Sequence, residues 1–236
     1  MRAGTVSVDP EIGEKVVLRR YMDLPKLLDL LHSRALYLRR ADGFADRLEG
    51  ALFPSHRGFL DRAHTAGMRQ NADHFYRRGR AGSYVSCWTR GTHDSMALWQ
   101  LYGGVRTSVA ITTTVGRLVR VALAWNRNVI IHRVKYVDHS KVKEYVIDRY
   151  NDMLQFKHRA YKHENEVRLI VPQQGDNWEE NPLDMRLPVA GLEELVRTVV
   201  IAPEATPQHV EVVKDLCAKY GLRSRVEQSR LATVPV

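Results

Sequence analysis

Residues 195–231 read LVRTVVIAPEATPQHVEVVKDLCAKYGLRSRVEQSRL, and this stretch decides the fold class. Over 195–202 the pattern is that of a strand. Over 207–221 the apolar positions recur with the 3.6-residue period of a helix, and 223–231 returns to a two-residue period. Strand, helix and strand in succession place a helix against a sheet. Working outward, HENEVRLIV (163–171) is a clear strand, and VAITTTV (109–115), VIIHRVKYV (129–137) and SYVSCW (83–88) are rich in β-forming residues. KVVLRRYMDL (15–24) and ALYLRR (35–40) are strands joined by a helix, with Asp23 as its N-cap, Pro25 in its first turn, and Leu27, Leu28, Leu30 and Leu31 as its apolar face. DGFADRLEG, which follows residue 40, is a polar loop. A helix over about 94–102 stops at Gly103-Gly104, and its Met96 and Trp99 are expected in the core. Residues 140–158 are helical by composition. The fold expected is a single α+β domain over 1–236, with a mixed, largely antiparallel sheet, flanking helices and a basic, partly helical insertion at about 56–80.

Composition excludes several classes. Of 236 residues, 44% are hydrophobic and 27% charged, which suits a globular chain and excludes a largely disordered one. No apolar run approaches the roughly 20 residues a membrane-spanning helix needs, and the first residues lack the apolar core of a secretory signal. Cys87 and Cys217 lie far apart, which fits a reducing, cytoplasmic setting and leaves no zinc-type spacing. The net charge of +9 favours anionic partners. The densest basic stretch holds Arg57, Arg62, Arg69, Arg77, Arg78 and Arg80, a candidate surface for nucleic acid or another anionic acceptor.

Three groups of residues could carry chemistry. On a strand, Glu164, Glu166 and Arg168 share one face, and two carboxylates so close repel unless a cation lies between them. They read either as a solvated ladder or as a pair of acids in a cleft, one holding a hydroxyl and one acting as base. The same alternation puts Tyr84, Ser86 and Trp88 on one face of 83–88, as a wall for a flat heterocycle or as ordinary core, with Val85 and Cys87 facing the other way. At Arg19-Arg20-Tyr21 only one of the two arginines can enter a given cleft, where its planar fork suits a phosphate. Ser86 lacks the frame of a hydrolase nucleophile, and neither a metal-binding histidine pair nor a glycine-rich phosphate loop is present, so no metal is expected.

The segments RYMDLPKLLDLL, ALYLRRADGFADRLEG, YVSCWTRGTHDSMALWQLYG, AYKHENEVRLI and VVIAPEA, in that order, resemble the bacterial and phage family known as domain of unknown function 2971. The resemblance spans roughly residues 15–230. It departs at Asp46-Arg47, where the family usually reads Asp-Pro. The pattern is also similar to a remote ADP-ribosyltransferase layout, with an Arg on the first strand, a Ser on a middle strand and a Glu on a later one. That likeness implies NAD as a substrate, held by Arg20, Tyr21, Tyr84 and Trp88. It implies Glu166 beside the nicotinamide ribose, with Ser86 and with Glu164 as the upstream acid. It further implies a transferase or NAD glycohydrolase of the toxin or antiphage type, acting on nucleic acid or protein. Two readings compete: a metal-dependent nuclease using Glu164, Glu166 and Lys157 or Lys162, and a non-catalytic nucleic-acid-binding module.

Overall fold

The computed structural model describes residues 4–46, 48–67, 70–142, 147–173 and 175–232. The chain enters on an edge strand, Val6–Val8 (β1), and continues into Val17–Asp23 (β2). Asp23 ends β2 and caps Leu24–Ser33 (α1) by accepting from the Lys26 amide at 2.9 Å, with Pro25 in the first turn where no amide hydrogen is needed. Leu27, Leu30 and Leu31 are buried, whereas Leu28 faces outward. Ala35–Arg40 (β3) follows. The basic stretch forms two helices, Pro54–Thr65 (α2) and Ala72–Ala81 (α3), the second capped by Asn71. Then come Ser83–Arg90 (β4), Met96–Tyr102 (α4), Ser108–Thr114 (β5) and Val115–Leu123 (α5). Val129–Arg133 (β6), Lys135–Val137 (β7), Phe156–His158 (β8), Glu166–Pro172 (β9) and Asp184–Pro188 (β10) lead to the final part. There Leu192–Leu195 (α6), Thr198–Ile201 (β11), Pro207–Lys219 (α7) and Arg225–Gln228 (β12) complete the strand–helix–strand unit.

The result is an α+β fold around one mixed sheet. Among the described residues its strand order is β1-β6-β9-β4-β2-β5-β11-β12, with β3 bridging β4 and β10. Only β1–β6 and β11–β12 run parallel within it; β7 and β8 form a separate parallel pair. One feature of the pairing positions the site. β4 runs beside β9 from Ser83 to Thr89, yet it meets β2 only at Leu18–Arg90 and Arg19–Thr89. At its other end β4 pairs instead with β3, through Arg39–Val85 and Arg40–Tyr84. The sheet therefore opens along β4, and β2 and β3 stand on either side of the gap.

Apolar residues cover both faces. Leu18, Leu31, Tyr84, Trp88, Ile111, Leu118, Val167, Leu169 and Val199 belong to the larger core, under α1, α5 and α7. On the opposite face Phe53, Leu60, Phe75, Val85, Phe156 and Ile170 pack beneath α2 and α3, and Tyr21, Leu98, Trp99 and Val200 pack beneath α4. No helix among the described residues is long and apolar enough to cross a membrane.

Several local expectations need correction. Residues 140–158 form no long helix among the described residues: Asp152 accepts from the amides of Asp148 and Arg149, a side-chain-to-backbone pattern that competes with helical bonding. Met153, Leu154 and Phe156 are instead drawn into the core under α2 and α3. The strand expected over 163–171 begins only at Glu166, because Asn165 turns left-handed (φ 43°) after a 3-10 turn over Arg159–Glu164. Trp99 is buried as expected, but Met96 is half exposed, and Leu98 takes the buried position. Helix α5 follows its strand without a break. Thr114 caps it by accepting from the Arg117 amide, and its Leu118, Val121 and Ala122 are buried.

Candidate active site

The opening along β4 is a cleft of about 670 Å³ lined by β2, β3, α4 and the start of β9. That volume is in the range of small-molecule sites. In antiparallel pairs, directly opposed residues project from the same face. Arg19 opposes Thr89, and Thr89 opposes Glu166, so these three side chains form one row across β2, β4 and β9. With neighbouring strands about 4.8 Å apart, the ends of the row lie about 10 Å from each other at the backbone. All three residues line the cleft.

Glu166 is 4% exposed, and a buried charge must be paired. Arg168, two residues on, donates from Nε to Oε1 at 2.8 Å and from Nη2 to Oε2 at 3.1 Å. Lys157 Nζ reaches Oε2 at 3.4 Å and Glu164 Oε2 at 2.5 Å, so it is the cation between the two acids. Tyr102 of α4 donates its hydroxyl to Glu164 Oε1 at 2.7 Å. Glu49, from the loop after β3, grips the far side of Arg168 through Nη1 and through Nη2 at 3.0 Å. Burial alone would push the Glu166 carboxyl up, but Arg168 and Lys157 outweigh it and hold it at about 2. Burial likewise opposes the charge on Lys157, yet the two glutamates raise its pKa above the ordinary value. The Tyr102 hydroxyl is pushed well up by burial and then by Glu164. Burial and Glu166 together push the Cys87 thiol up. Glu166 is thus held ionised, and both acids are fixed by hydrogen bonds at the wall of a cavity.

Arg19 differs from the other cations of the site. It is 5% exposed, and its Nη2 donates to the Thr92 carbonyl at 3.2 Å. Its Nε and Nη1 are shielded from solvent and have no hydrogen-bond partner among the described residues. A buried guanidinium with two unmet donors is costly, and it is suited to an anionic group entering the cleft.

The residues singled out from sequence divide between the two faces of the sheet. Arg20 and Ser86 meet, Arg20 Nη1 donating to Ser86 Oγ at 3.0 Å and to the Tyr37 carbonyl at 3.2 Å. Trp88 Nε1 donates to the same hydroxyl at 3.1 Å. These bonds lie on the larger-core face. Ser86 opposes Leu169 and Trp88 opposes Val167, both of which point away from the face that carries Glu166. Tyr84 is fully buried, with its hydroxyl on the Pro182 carbonyl. Tyr21 packs edge-on against Trp99, 4.9 Å between ring centres, and its oxygen accepts from the Ser95 amide. Arg20, Tyr21, Trp88, Glu164 and Glu166 border the cleft; Ser86 and Tyr84 are not among its lining residues. Val85 and Cys87, on the other face of β4, pack on the core beneath α2 and α3 and also line the cleft. Every residue from Ser83 to Ser86 is buried, so hydrophobicity did not distinguish the two faces of β4. The sequence offers Arg19 as one of two arginines for a cleft and Lys157 beside the acids under the nuclease reading, whereas Thr89, Glu49 and Tyr102 reach the cleft through strand register and chain path alone.

The basic stretch is largely partnered. Arg57 pairs with Asp73 at 2.8 Å and Arg77 with Glu179 at 2.6 Å. Arg78 lies over the Tyr150 ring, and Arg80 bonds to Tyr76 and to the Ala41 carbonyl. Arg62 is exposed on α2, and Arg69 lies outside the described residues. Among the described residues no three His, Cys, Asp or Glu side chains converge as metal ligands. Lys157 lies beside both glutamates, as the nuclease reading expected of it or Lys162, but Arg168 also bonds both Glu166 oxygens, where that reading would put a metal ion.

No family model matches the chain, and no curated protein matches it. Among solved structures, the chain is similar to Thermus sp. 2.9 DarT in complex with NAD+, at 8% identity and a TM-score of 0.46, covering 94% of this chain and 100% of that one. It is similar to the same protein in complex with carba-NAD+, at 8% identity and a TM-score of 0.43, over 93% of this chain and 97% of that one. A third is Thermus sp. 2.9 DarT in complex with ADP-ribosylated ssDNA, at 10% identity and a TM-score of 0.45, over 93% and 96% of the two chains.

Proposed function

We propose that this chain is an NAD-consuming ADP-ribosyltransferase-like enzyme of the bacterial and phage family it resembles, with a toxin or antiphage role. The observation that carries the reading is the row Arg19–Thr89–Glu166 where the sheet opens, with Arg19 short of two hydrogen-bond acceptors. In the reaction class the bond between nicotinamide and ribose breaks, and the sugar carbon becomes electron-poor. Glu166 favours that change because Arg168 and Lys157 keep it ionised and fixed, so its field costs no rearrangement as charge develops. Arg19 supplies donors for a phosphate, and Arg20, on the other side of the same opening, braces the Tyr37 carbonyl and Ser86. In this reading Glu164, which Lys157 and Tyr102 bridge, takes the proton of the attacking group. The charge of +9 supports an anionic acceptor, with nucleic acid first and protein second, in the cytoplasm.

Incubation with NAD, in the presence and absence of single-stranded nucleic acid, tests this by free nicotinamide. The wild type releases it. Arg19→Met and Glu166→Gln each lower the rate by about 100-fold or more while still melting cooperatively. Absence of release under every condition, or an Arg19→Met variant as active as the wild type, overturns the proposal.

A further inference from the structure

The loop between β3 and α2 holds a single 3-10 turn, Ala41–Gly43, and among its described residues no strand, yet it delivers the carboxylate of Glu49 into the protein interior, 2% exposed. The delivery is built. The Glu49 amide donates to the Asp46 carbonyl, the Asp46 carboxylate caps the same turn at the Leu48 amide, and Gly50 follows in the left-handed region at φ 70°. A side chain on Gly50 would be strained there and would meet Leu154 at 3.2 Å. The partner of Glu49 is Arg168, 1% exposed, whose remaining donors go to Glu166 and to the Leu154 carbonyl at 2.7 Å. Every Arg168 nitrogen is therefore engaged. A fully buried ion pair is a poor source of stability, because desolvation consumes most of the attraction, so a second acid on an already paired arginine calls for another explanation.

Charge supplies it. Glu164 and Glu166 against Lys157 and Arg168 make a neutral group, in which Arg168 would cancel the field of Glu166 at the cleft. Adding Glu49 leaves three acids facing two bases, a formal net charge of −1 within this ion-paired cluster, with Arg19 a separate cation across the cleft. We infer that Glu49 is a positioning residue: from behind, it holds the Arg168 guanidinium in register for both Glu166 oxygens and offsets its charge, so that Glu166 presents a net negative field to the substrate. The inference rests on the reading of Glu166 given above, and its mechanism follows from electrostatics in a poorly hydrated site.

Glu49→Gln keeps the shape and removes the charge, whereas Glu49→Asp keeps the charge. For nicotinamide release, Glu49→Gln is expected to lower kcat about tenfold with KM within about twofold, and Glu49→Asp to restore kcat to within about threefold of wild type. A purely structural contact would impair both variants alike. A second readout needs no substrate: Cys87 lines the same wall, opposite Arg168 in the β4–β9 register, and its thiolate reports the local field. Alkylation of Cys87 at fixed alkaline pH, located by peptide mass, is expected to run several-fold faster in folded Glu49→Gln than in wild type. If Glu49→Gln fails to fold, Glu49→Asp decides: its kcat must stay near wild type and its Cys87 rate unchanged. Equal kcat in wild type and Glu49→Gln, equal alkylation rates, or a Glu49→Asp variant that falls as far as Glu49→Gln overturns the inference. A wild type that releases no nicotinamide overturns the enzymatic reading instead, and the alkylation comparison still decides the role of Glu49.

Discussion

Glu166 and Arg19 are opposite solutions to the burial of charge. Glu166 is fully paired, and its pKa of about 2 lies below the ordinary 4.5, so its ionised form is favoured by folding. A lowered folded-state pKa contributes stability above the unfolded value, and this is lost as pH falls through the folded one. The stability gap between wild type and Glu166→Gln should thus be widest above pH 4.5 and close toward pH 2, a range of roughly 3 kcal/mol. Urea unfolding of both proteins between pH 6 and 2.5 measures it; a gap independent of pH would remove the ionised, paired carboxylate. Arg19 is under-paired, with Nε and Nη1 lacking a partner among the described residues, an arrangement that costs stability and that the proposed function explains by an anionic ligand. The alternation around residues 19–21 predicts that only one arginine enters a given cleft, yet both line this one: they leave β2 on opposite faces, and the sheet is open between β2 and β3, so the cavity reaches both.

At the scale of elements, α3, on the site side of the sheet, depends on close backbone approach. Gly79 of α3 lies against the 3-10 segment that precedes β8, where an added Cβ would fall 2.4 Å from the Tyr150 carbonyl oxygen and 2.2 Å from Met153. Backbone cannot yield there as a flexible side chain does, so Gly79→Ala should destabilise by about 1–3 kcal/mol despite the better helix propensity of alanine. Thermal melts compare the two chains, and an unchanged or higher Tm contradicts this packing. The same contact explains why 140–158 eluded a composition-based reading. Its apolar residues serve a neighbouring helix rather than one face of their own. By contrast α1 was legible down to its Asp23 cap and Pro25, because capping and first-turn preferences are local chemistry.

For the whole molecule, the decisive feature is a sheet that parts along β4, leaving β2 and β3 as the sides of a cavity with a charged row at one end. Under the proposed function, NAD at about 100 times its Kd should stabilise the folded chain by about 2.7 kcal/mol, seen as a rise in Tm. Arg19→Met should abolish that shift while leaving the unliganded Tm equal or higher, since a buried donor pair without acceptors is removed. A ligand-induced shift undiminished in the variant would detach Arg19 from the site.

The residues alone determined the class of fold, most strand and helix positions, and the presence of two acids close enough to require a cation, because periodicity, capping and charge spacing act within a few residues. They did not determine which faces turn toward the cavity. Tertiary structure decided that Arg19 and Thr89 share a row with Glu166, that Arg20 and Ser86 meet on the opposite face, and that Glu49 returns from a loop to hold Arg168. The physical reason is register. A strand buried on both sides carries no hydrophobic record of its orientation, so only hydrogen-bond pairing with its neighbours sets which side chains converge.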